Sequence, residues 1–252
     1  MSKAKQAYSD YYEGLDAPIG GDERFLWIND ALLTDIKGRV ILDVGCGEGT
    51  LLRMLDIKGN QVFGIDASES AKKACELKGI ECIVADMSTE NLSRFPDGMF
   101  DIVLCLETIE HLENPFHCLW EIKRLLKENG TFIVSIPNTK TLHPYVYPGL
   151  FNLKNFKLFL ELNSFEVISI RGWGQCIMGN KIYRQLKSIN NRVAKITAAF
   201  LYYLGRKRNA FMRNHTGTPL KYSACWNFVC TNHKTDANLV EKVAEKTRQN
   251  NK

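Results

Sequence analysis

The chain has 252 residues, of which 45% are hydrophobic and 24% charged, and it contains 18 glycines and 7 prolines. This composition excludes collagen-like and intrinsically disordered chains, and the length predicts one large domain or two small ones. Its apolar runs are shorter than the ~20 residues of a membrane-spanning helix, and its first residues lack the apolar core of a signal peptide. We therefore expect a cytoplasmic protein.

The formal net charge of +5 is distributed unevenly along the sequence. No acidic residue lies between Glu166 and Asp236, and this stretch contains 12 lysines and arginines, so the rest of the chain carries a net charge of −7. Such an asymmetry indicates an anionic partner for the basic stretch.

The eight cysteines form neither a Cys-x-x-Cys pair nor the spacing of a zinc site. Several of them lie in strongly apolar stretches. We therefore expect buried, reduced thiols that pack as small hydrophobic side chains.

The predicted secondary structure alternates between helices and short buried strands. An amphipathic helix is predicted over residues 22–34, with Asp22 as its N-cap. Apolar runs predict strands over residues 40–44, 62–65, 82–84, 102–106 and 131–136. Further helices are predicted over residues 68–78, 115–127 and 156–162, and later strands over residues 165–170 and 224–231. This alternation is typical of a parallel α/β sheet.

A glycine loop with the pattern Gly-x-Gly-x-Gly, from Gly45 through Gly47 to Gly49, follows the first predicted strand and opens a helix. Such a loop lets the backbone approach a ligand closely and directs helix N-terminal amides at it. Asp66 ends the next strand, where a carboxylate can accept hydrogen bonds from both hydroxyls of a ribose.

Two more carboxylates, Asp43 and Asp86, end the first strand and follow the third. Asp43 would repel a pyrophosphate but attract an ammonium group, and the glycine spacing differs from Gly-x-Gly-x-x-Gly, so both features disfavour a dinucleotide. Asp86 is positioned to accept from an adenine amino group. Alternatively, both residues only cap turns. Carboxylates at three successive strand ends favour a ligand-binding crevice.

Five segments resemble successive motifs of class I S-adenosylmethionine-dependent methyltransferases, namely VILDVGCGEG, GID, ADM, FDIVLCLETIEHLENP and LLKENGTFIVSIPN. The resemblance is close over residues 39–138 and looser over the strands near 165 and 224. It implies an α/β fold with a Rossmann-like, seven-stranded, mostly parallel sheet, helices on both faces and one antiparallel edge strand. It also implies S-adenosylmethionine as cofactor. By this resemblance the donor-binding residues are Asp43, Gly45, Cys46, Gly47, Gly49, Asp66, Ala67, Asp86, Met87 and Glu107.

The segment Glu-Thr-Ile-Glu-His, from Glu107 to Glu110 and His111, directly follows the fourth strand, beside the expected donor. His111 is a candidate general base, with Glu110 beside it, because an imidazole titrates near neutral pH. The alternative is that these two residues only cap and orient the next helix.

The same three residues, Glu107, Glu110 and His111, resemble the metal-binding Glu-x-x-Glu-His of ubiquinone-pathway O-methyltransferases and small-RNA 2′-O-methyltransferases. Two carboxylates and one imidazole could bind Mg²⁺ or Mn²⁺, which would acidify an acceptor hydroxyl. In the small-RNA group a later histidine completes the site. His143 is the candidate here, although the surrounding sequence departs from that group's pattern.

A basic insert over residues 174–220 separates the last two predicted strands. Its apolar residues recur every three or four positions between residues 182 and 204, which predicts an amphipathic helix followed by Arg206, Lys207 and Arg208. The helix either covers the domain or contacts anionic headgroups or a phosphate-bearing acceptor. The remaining predicted regions are a helical cap or acceptor lid (1–38), the methyltransferase core (39–173 and 221–235) and a charged tail (236–252).

Together these features predict a cytoplasmic methyltransferase that binds peripherally at the inner membrane face if the insert contacts lipid. The expected acceptor is the hydroxyl of a lipid-linked, glycan or small molecule, and the 2′-hydroxyl of RNA is the alternative. A non-catalytic module that binds the donor or a membrane is an alternative of a different class. An NAD-dependent oxidoreductase is disfavoured by Asp43 and by the glycine spacing.

Overall fold

The computed structural model describes residues 21–138, 146, 147, 149–174, 193, 196, 197, 200, 220 and 223–232. The predictions for residues 1–20, for His143, for Cys176, for most of the insert and for the charged tail lie outside the described residues.

Seven strands form a single sheet. They are β1 (Val40–Val44), β2 (Gln61–Asp66), β3 (Glu81–Val84), β4 (Phe100–Leu106), β5 (Leu126–Pro137), β6 (Phe165–Trp173) and β7 (Cys225–Asn232). Their spatial order is β3-β2-β1-β4-β5-β7-β6. The first five pair in parallel, whereas β7 runs antiparallel to both β5 and β6. The antiparallel strand predicted at the sheet edge therefore lies one position inside it, because β6 pairs along its outer side.

The described helices are α1 (Gly21–Ala31), α2 (Thr50–Ile57), α3 (Glu69–Glu76), α4 (Pro115–Leu125) and α5 (Leu153–Leu162), with a 3₁₀ turn over Ile109–His111. Asp22 lies inside α1, so the prediction that it caps this helix is wrong. The prediction that α4 extends to residue 127 is also wrong. The helix ends earlier because Leu126 already pairs with Phe100 in the sheet and is buried in the core.

The two faces of the sheet support two separate hydrophobic clusters. In β4, Val103 and Cys105 enter the cluster that contains side chains of α4 and α5. Ile102, Leu104 and Leu106 enter the other cluster, with side chains of α1, α2 and α3. This alternation is the two-residue period of a strand that is buried on both faces. The predicted Rossmann-like sheet with helices on both faces is therefore confirmed.

The strand order places a crevice at the carboxyl end of β1. Because β1 lies between β2 and β4, the chain crosses β1 when it passes from β3 to β4. Such a switch point opens a crevice outside the strand ends, where ligands bind in open α/β sheets. Asp43, Asp66 and Glu107 lie at or next to these strand ends.

Within the described part of the chain, no helix has the length and apolarity needed to cross a membrane. Positions 193, 196, 197 and 200 of the insert are described and helical, and the Thr197 hydroxyl donates to the carbonyl of Val193 at 2.9 Å. The side chains of Val193, Ile196 and Phe200 are 69%, 62% and 57% exposed. These three apolar residues are therefore largely exposed.

Candidate active site

The glycine loop lies against the end of β2 and opens α2. The amides of Gly45 and Cys46 both donate to the carbonyl oxygen of Ile65, at 2.7 and 3.0 Å. Gly45 has a φ of +76°, and a Cβ added to it would lie 2.1 Å from Thr108 Oγ1. Only glycine fits this position, and the loop can therefore pass close to the segment that follows β4.

Cys46 contributes its main chain to this loop, whereas its thiol enters the interior. The Cys46 residue is 8% exposed, and its Sγ lies 3.6 Å from Cys82 Sγ. Its predicted role in donor binding is therefore restricted to backbone groups. Gly49 ends the loop as the N-cap residue of α2.

Asp66 connects the glycine loop to the beginning of α3. Its Oδ2 accepts a hydrogen bond from the Gly47 amide at 3.0 Å, and its Oδ1 accepts one from the Ser68 amide at 3.0 Å. Each carboxylate oxygen has a second lone pair and can accept another hydrogen bond from a ligand hydroxyl. Ala67, the next residue, is exposed at the same edge.

Asp86 caps a turn at the end of the third strand region. Its Oδ1 accepts from the Ser88 amide at 2.9 Å, so the turn-capping interpretation applies to this oxygen. Met87 is 3% exposed and packs in the hydrophobic core, while its carbonyl oxygen lies 3.2 Å from His117 Nδ1. An adenine bound here would therefore meet Asp86 and the Met87 backbone rather than the Met87 side chain.

Asp43 is a buried carboxyl group beneath the glycine loop. It is 4% exposed, and its Oδ1 makes no hydrogen bond to any described residue. Burial raises its pKa to about 7; the Arg24 guanidinium lowers this pKa and the Asp66 carboxylate raises it. A buried oxygen without a donor is costly, and a bound cationic N–H group would satisfy it.

Arg24, on α1, is a site residue that the sequence prediction missed. Its Nη1 lies 3.7 Å from Glu107 Oε2, and its Nη2 donates to Ser135 Oγ at 3.1 Å. The sequence contained a signal for it, because Arg24 precedes the buried residues Trp27 and Ile28 at helical spacing. An arginine on the apolar side of a helix needs a polar partner in the interior.

Glu107 adopts a strained backbone conformation at the end of β4. Its φ is +52°, which is uncommon for a residue with a side chain and is concentrated at functional sites. Ser135 holds both the backbone and the side chain of Glu107. Its Oγ accepts from the Glu107 amide and donates to Glu107 Oε1, each at 3.1 Å. The carboxylate is thereby held towards Arg24.

Glu110 and His111 follow within the 3₁₀ turn. Glu110 is fully buried, and burial raises its pKa to about 8. The His111 side chain is 12% exposed, and its Nε2 lies 3.6 Å from Glu110 Oε1. At neutral pH Glu110 is therefore mostly a neutral carboxylic acid beside the imidazole.

The residues proposed to bind Mg²⁺ or Mn²⁺ do not fit a metal site. Glu107, Glu110 and His111 do not converge: among the residues that the structure describes, only three cysteines bring metal-ligating atoms within 4.8 Å of one another. Glu107 is paired with Arg24, and burial raises the pKa of Glu110 to about 8, so binding of either ion would have to displace a guanidinium and a proton. Glu107 precedes the 3₁₀ turn and its carboxylate contacts Arg24 and Ser135, whereas Glu110 is buried within the turn, so the two carboxyl groups have different surroundings.

A groove of about 750 Å³ borders the far side of this segment. It is lined by Glu113, Asn114, Pro115, Phe116, Val146, Tyr147, Gly149 and Leu150. The Val146 amide donates to the carbonyl of Glu110 at 3.2 Å, and the Tyr147 hydroxyl donates to the carbonyl of Glu113 at 2.7 Å. The groove is therefore attached directly to the segment that carries His111.

Known proteins match the part of the chain that forms this crevice. Residues 42–134 match a family model described as Methyltransferase domain (Methyltransf_11). A ubiquinone biosynthesis O-methyltransferase of Dechloromonas aromatica (strain RCB) is 35% identical over 119 residues, which are 46% of this chain and 50% of that protein. The chain thus spans about half the length of the curated relatives it matches.

Solved structures with low sequence identity share the fold. A SAM-dependent methyltransferase from Aquifex aeolicus is 17% identical, with a TM-score of 0.56 over 88% of this chain and 97% of that one. The [4+2]-cyclase SpnF is 18% identical, with a TM-score of 0.55 over 84% of this chain and 81% of that one. The match over residues 42–134 covers the end of β1, all of β2 to β4 and most of β5, so the part of the chain that is similar to a methyltransferase domain includes the strand ends that border the crevice.

Proposed function

We propose that this chain transfers a methyl group from S-adenosylmethionine to a hydroxyl oxygen of its acceptor. When bound, the donor would supply a methyl group on its sulfonium: a C–O bond to the acceptor would form as the C–S bond breaks, with S-adenosylhomocysteine as the leaving group. The observation that carries the proposal is the buried Asp43 oxygen, which lacks a hydrogen-bond donor among the described residues and lies beneath a glycine loop. A ligand with an ammonium group satisfies this oxygen, whereas a pyrophosphate does not.

The charges around Asp43 match the amino-acid end of the donor. That end carries one ammonium and one carboxylate, and the crevice offers the Asp43 carboxyl and the Arg24 guanidinium, which is close enough to lower the pKa of both Asp43 and Glu110. Arg24 is paired with Glu107 and can exchange part of this pairing for a ligand carboxylate. Opposite charges at the two ends would orient the donor in the crevice.

The nucleoside end of the donor would lie over β2 and β3. Asp66 retains acceptor capacity for the two ribose hydroxyls while its present hydrogen bonds hold the loop. Asp86 would accept from the adenine amino group. This arrangement keeps the roles that the resemblance implies, with Met87 restricted to its backbone.

Methyl transfer needs alignment, exclusion of water and removal of the acceptor proton. We assign proton removal to His111, because an imidazole accepts a proton near neutral pH and lies on the segment that leaves β4. Glu110, buried beneath the turn and 3.6 Å from the imidazole, would position His111. No step in this account uses Mg²⁺ or Mn²⁺.

The acceptor that we propose is lipid-linked, and the partner surface is an anionic membrane. Two observations support this choice. The groove that begins at Glu113, two residues after His111 in the sequence, is bordered by Phe116 and Tyr147, which are 59% and 44% exposed. The insert exposes Val193, Ile196 and Phe200 within a stretch that has 12 basic residues and no acidic one. Exposed apolar side chains beside basic ones are typical of helices that bind membrane surfaces. RNA would use the basic residues and stack bases on Phe200, but it offers no apolar surface for Val193 and Ile196.

The experiment is to incubate the full chain with methyl-labelled S-adenosylmethionine and separate lipid, glycan and RNA extracts. We expect label in the lipid fraction, and transfer about 10²–10⁴-fold slower by the His111→Ala variant. Label confined to the RNA fraction would show that the acceptor is RNA and that the lipid-linked acceptor is wrong. No label in any fraction, despite donor binding, would favour a non-catalytic donor-binding module or other chemistry on this fold.

A further inference from the structure

Three buried cysteines from three separate elements meet beneath the glycine loop. Cys46 belongs to the loop, Cys75 to α3 and Cys82 to β3. The Sγ of Cys46 lies 3.9 Å from that of Cys75 and 3.6 Å from that of Cys82, and all three Sγ atoms lie within 4.8 Å of one another. We propose that these thiols bind one thiophilic d¹⁰ metal ion, of the class of Zn²⁺ and Cu⁺.

The separations between the sulfurs fit such an ion. A Zn–S bond of about 2.3 Å in tetrahedral geometry places two sulfurs about 3.8 Å apart. The separations of Cys46 Sγ from the other two sulfurs, 3.6 and 3.9 Å, lie on either side of this value, and Cys75 Sγ and Cys82 Sγ lie within 4.8 Å of each other. Thiolates select Zn²⁺ and Cu⁺ over the hard ions Mg²⁺ and Mn²⁺, which need oxygen ligands. Binding would release the thiol protons.

Two glycines make room for this cluster. A Cβ added to Gly64 would lie 2.6 Å from Cys46 Sγ, and one added to Gly49 would lie 2.8 Å from Cys75 Sγ. The carbonyl oxygen of Gly47 borders the cluster, 3.3 Å from Cys75 Sγ. The same oxygen lies 3.7 Å from Cys46 Sγ, so it is next to two of the three sulfurs and is the nearest candidate for a fourth ligand.

The place of the site in the fold suggests what the ion would do. Cys46 lies between Gly45 and Gly47, whose loop receives the Asp66 carboxylate. An ion held by all three cysteines would attach this loop to α3 and to β3. It would stabilise the loop conformation before any donor binds, and its effect is therefore measurable without donor or acceptor.

The test uses the reduced, metal-free full chain, titrated separately with Zn²⁺, Cu⁺ and Mg²⁺ against a chromophoric chelator. We expect one equivalent of Zn²⁺ or Cu⁺ to bind with release of protons and to raise the Tm, and no binding of Mg²⁺. Replacing one ligand, in Cys46→Ala, Cys75→Ala or Cys82→Ala, should weaken binding at least about 100-fold, since even outer-shell changes cost 10–100-fold.

Cys230→Ala is the matched control, because Cys230 is equally buried but lies in the other hydrophobic cluster. Its metal affinity should equal that of the wild type. If a cysteine variant fails to fold, the corresponding serine variant replaces it, since serine keeps the volume and removes the soft ligand. Absence of stoichiometric binding by the wild type, or equal binding by the folded cysteine variants, would overturn the proposal and leave three packed thiols.

Discussion

The Gly47 amide donates a 3.0 Å hydrogen bond to Asp66 Oδ2, and this bond joins the loop after β1 to the end of β2. The second oxygen of the same carboxylate accepts from the Ser68 amide, which begins the turn into α3. The carboxylate that is proposed to bind the ribose is therefore already fixed by two backbone amides. A side chain held in this way loses little conformational entropy when a ligand binds.

The two glycines beside this bond should respond differently to substitution. Gly45→Ala places a Cβ against Thr108, whereas a Cβ at Gly47 meets no atom within 4 Å. Both have positive φ, so each alanine carries a backbone cost of about 1–2 kcal/mol. Chemical denaturation should therefore show a larger loss of unfolding free energy for Gly45→Ala. Equal losses would contradict the close approach to Thr108.

Asp43 should make the stability of the ligand-free protein depend on pH. Because its folded-state pKa is raised from 3.8 to about 7, the folded state binds more protons than the unfolded state between about pH 4 and 7. Its contribution to the unfolding free energy therefore falls as pH rises through this window. Between pH 5 and pH 8 the unfolding free energy of the wild type should fall further than that of Asp43→Asn. The difference between the two falls should be on the order of 2 kcal/mol. Identical losses would show that Asp43 is not buried in this way.

His111 should affect methyl transfer without affecting donor affinity. We expect His111→Ala to lower the rate about 10²–10⁴-fold, as for removal of a general base, and to leave the Kd for S-adenosylhomocysteine unchanged. Adding Mg²⁺ or Mn²⁺ to chelator-treated protein should not raise the wild-type rate. Stimulation by either ion would restore the metal hypothesis, and loss of donor affinity in His111→Ala would give the residue a binding or structural role.

The basic insert should bind anionic vesicles through charge and apolar contact together. Replacing Arg206, Lys207 and Arg208 by Gln removes three contacts worth on the order of 1 kcal/mol each, and binding should weaken by on the order of 100-fold. Phe200→Ser should weaken it independently, because this exposed ring would enter the interface.

Replacement of Lys37, Arg53 and Arg94 by Gln is the matched control for this experiment. It removes the same charge from exposed positions outside the insert. Vesicle binding should remain. If the insert variant instead keeps vesicle binding and loses RNA binding, the membrane proposal is wrong and the RNA alternative takes its place.

The strand ends could be predicted from the sequence because short apolar runs followed by Gly or Asp are local signals. They locate Asp43, Asp66 and Asp86 without knowledge of the fold. The position of β7 could not be predicted in this way, because the order of strands depends on pairing between segments far apart in sequence. The resemblance predicted an antiparallel strand but not its position between β5 and β6.

The convergence of Cys46, Cys75 and Cys82 was hidden for a similar reason. Cys75 and Cys82 follow Cys46 by 29 and 36 positions. No local spacing predicts a cluster that forms only when α3 and β3 pack against the loop. The metal prediction for Glu107, Glu110 and His111 failed in the opposite way. Their spacing was local and suggestive, but it could not show that Glu107 contacts Arg24 and Ser135, which are distant in sequence, while Glu110 is buried.

Calorimetric titration of the wild type and of Asp66→Ala with S-adenosylmethionine, S-adenosylhomocysteine and NAD tests directly whether the crevice binds a methyl donor. We expect both sulfur nucleosides to bind the wild type and NAD to bind far more weakly. Asp66→Ala should weaken both by about 1.5–3 kcal/mol, the value of hydrogen bonds to a charged group. Tighter binding of NAD than of either sulfur nucleoside would contradict the assignment of this crevice to a methyl donor.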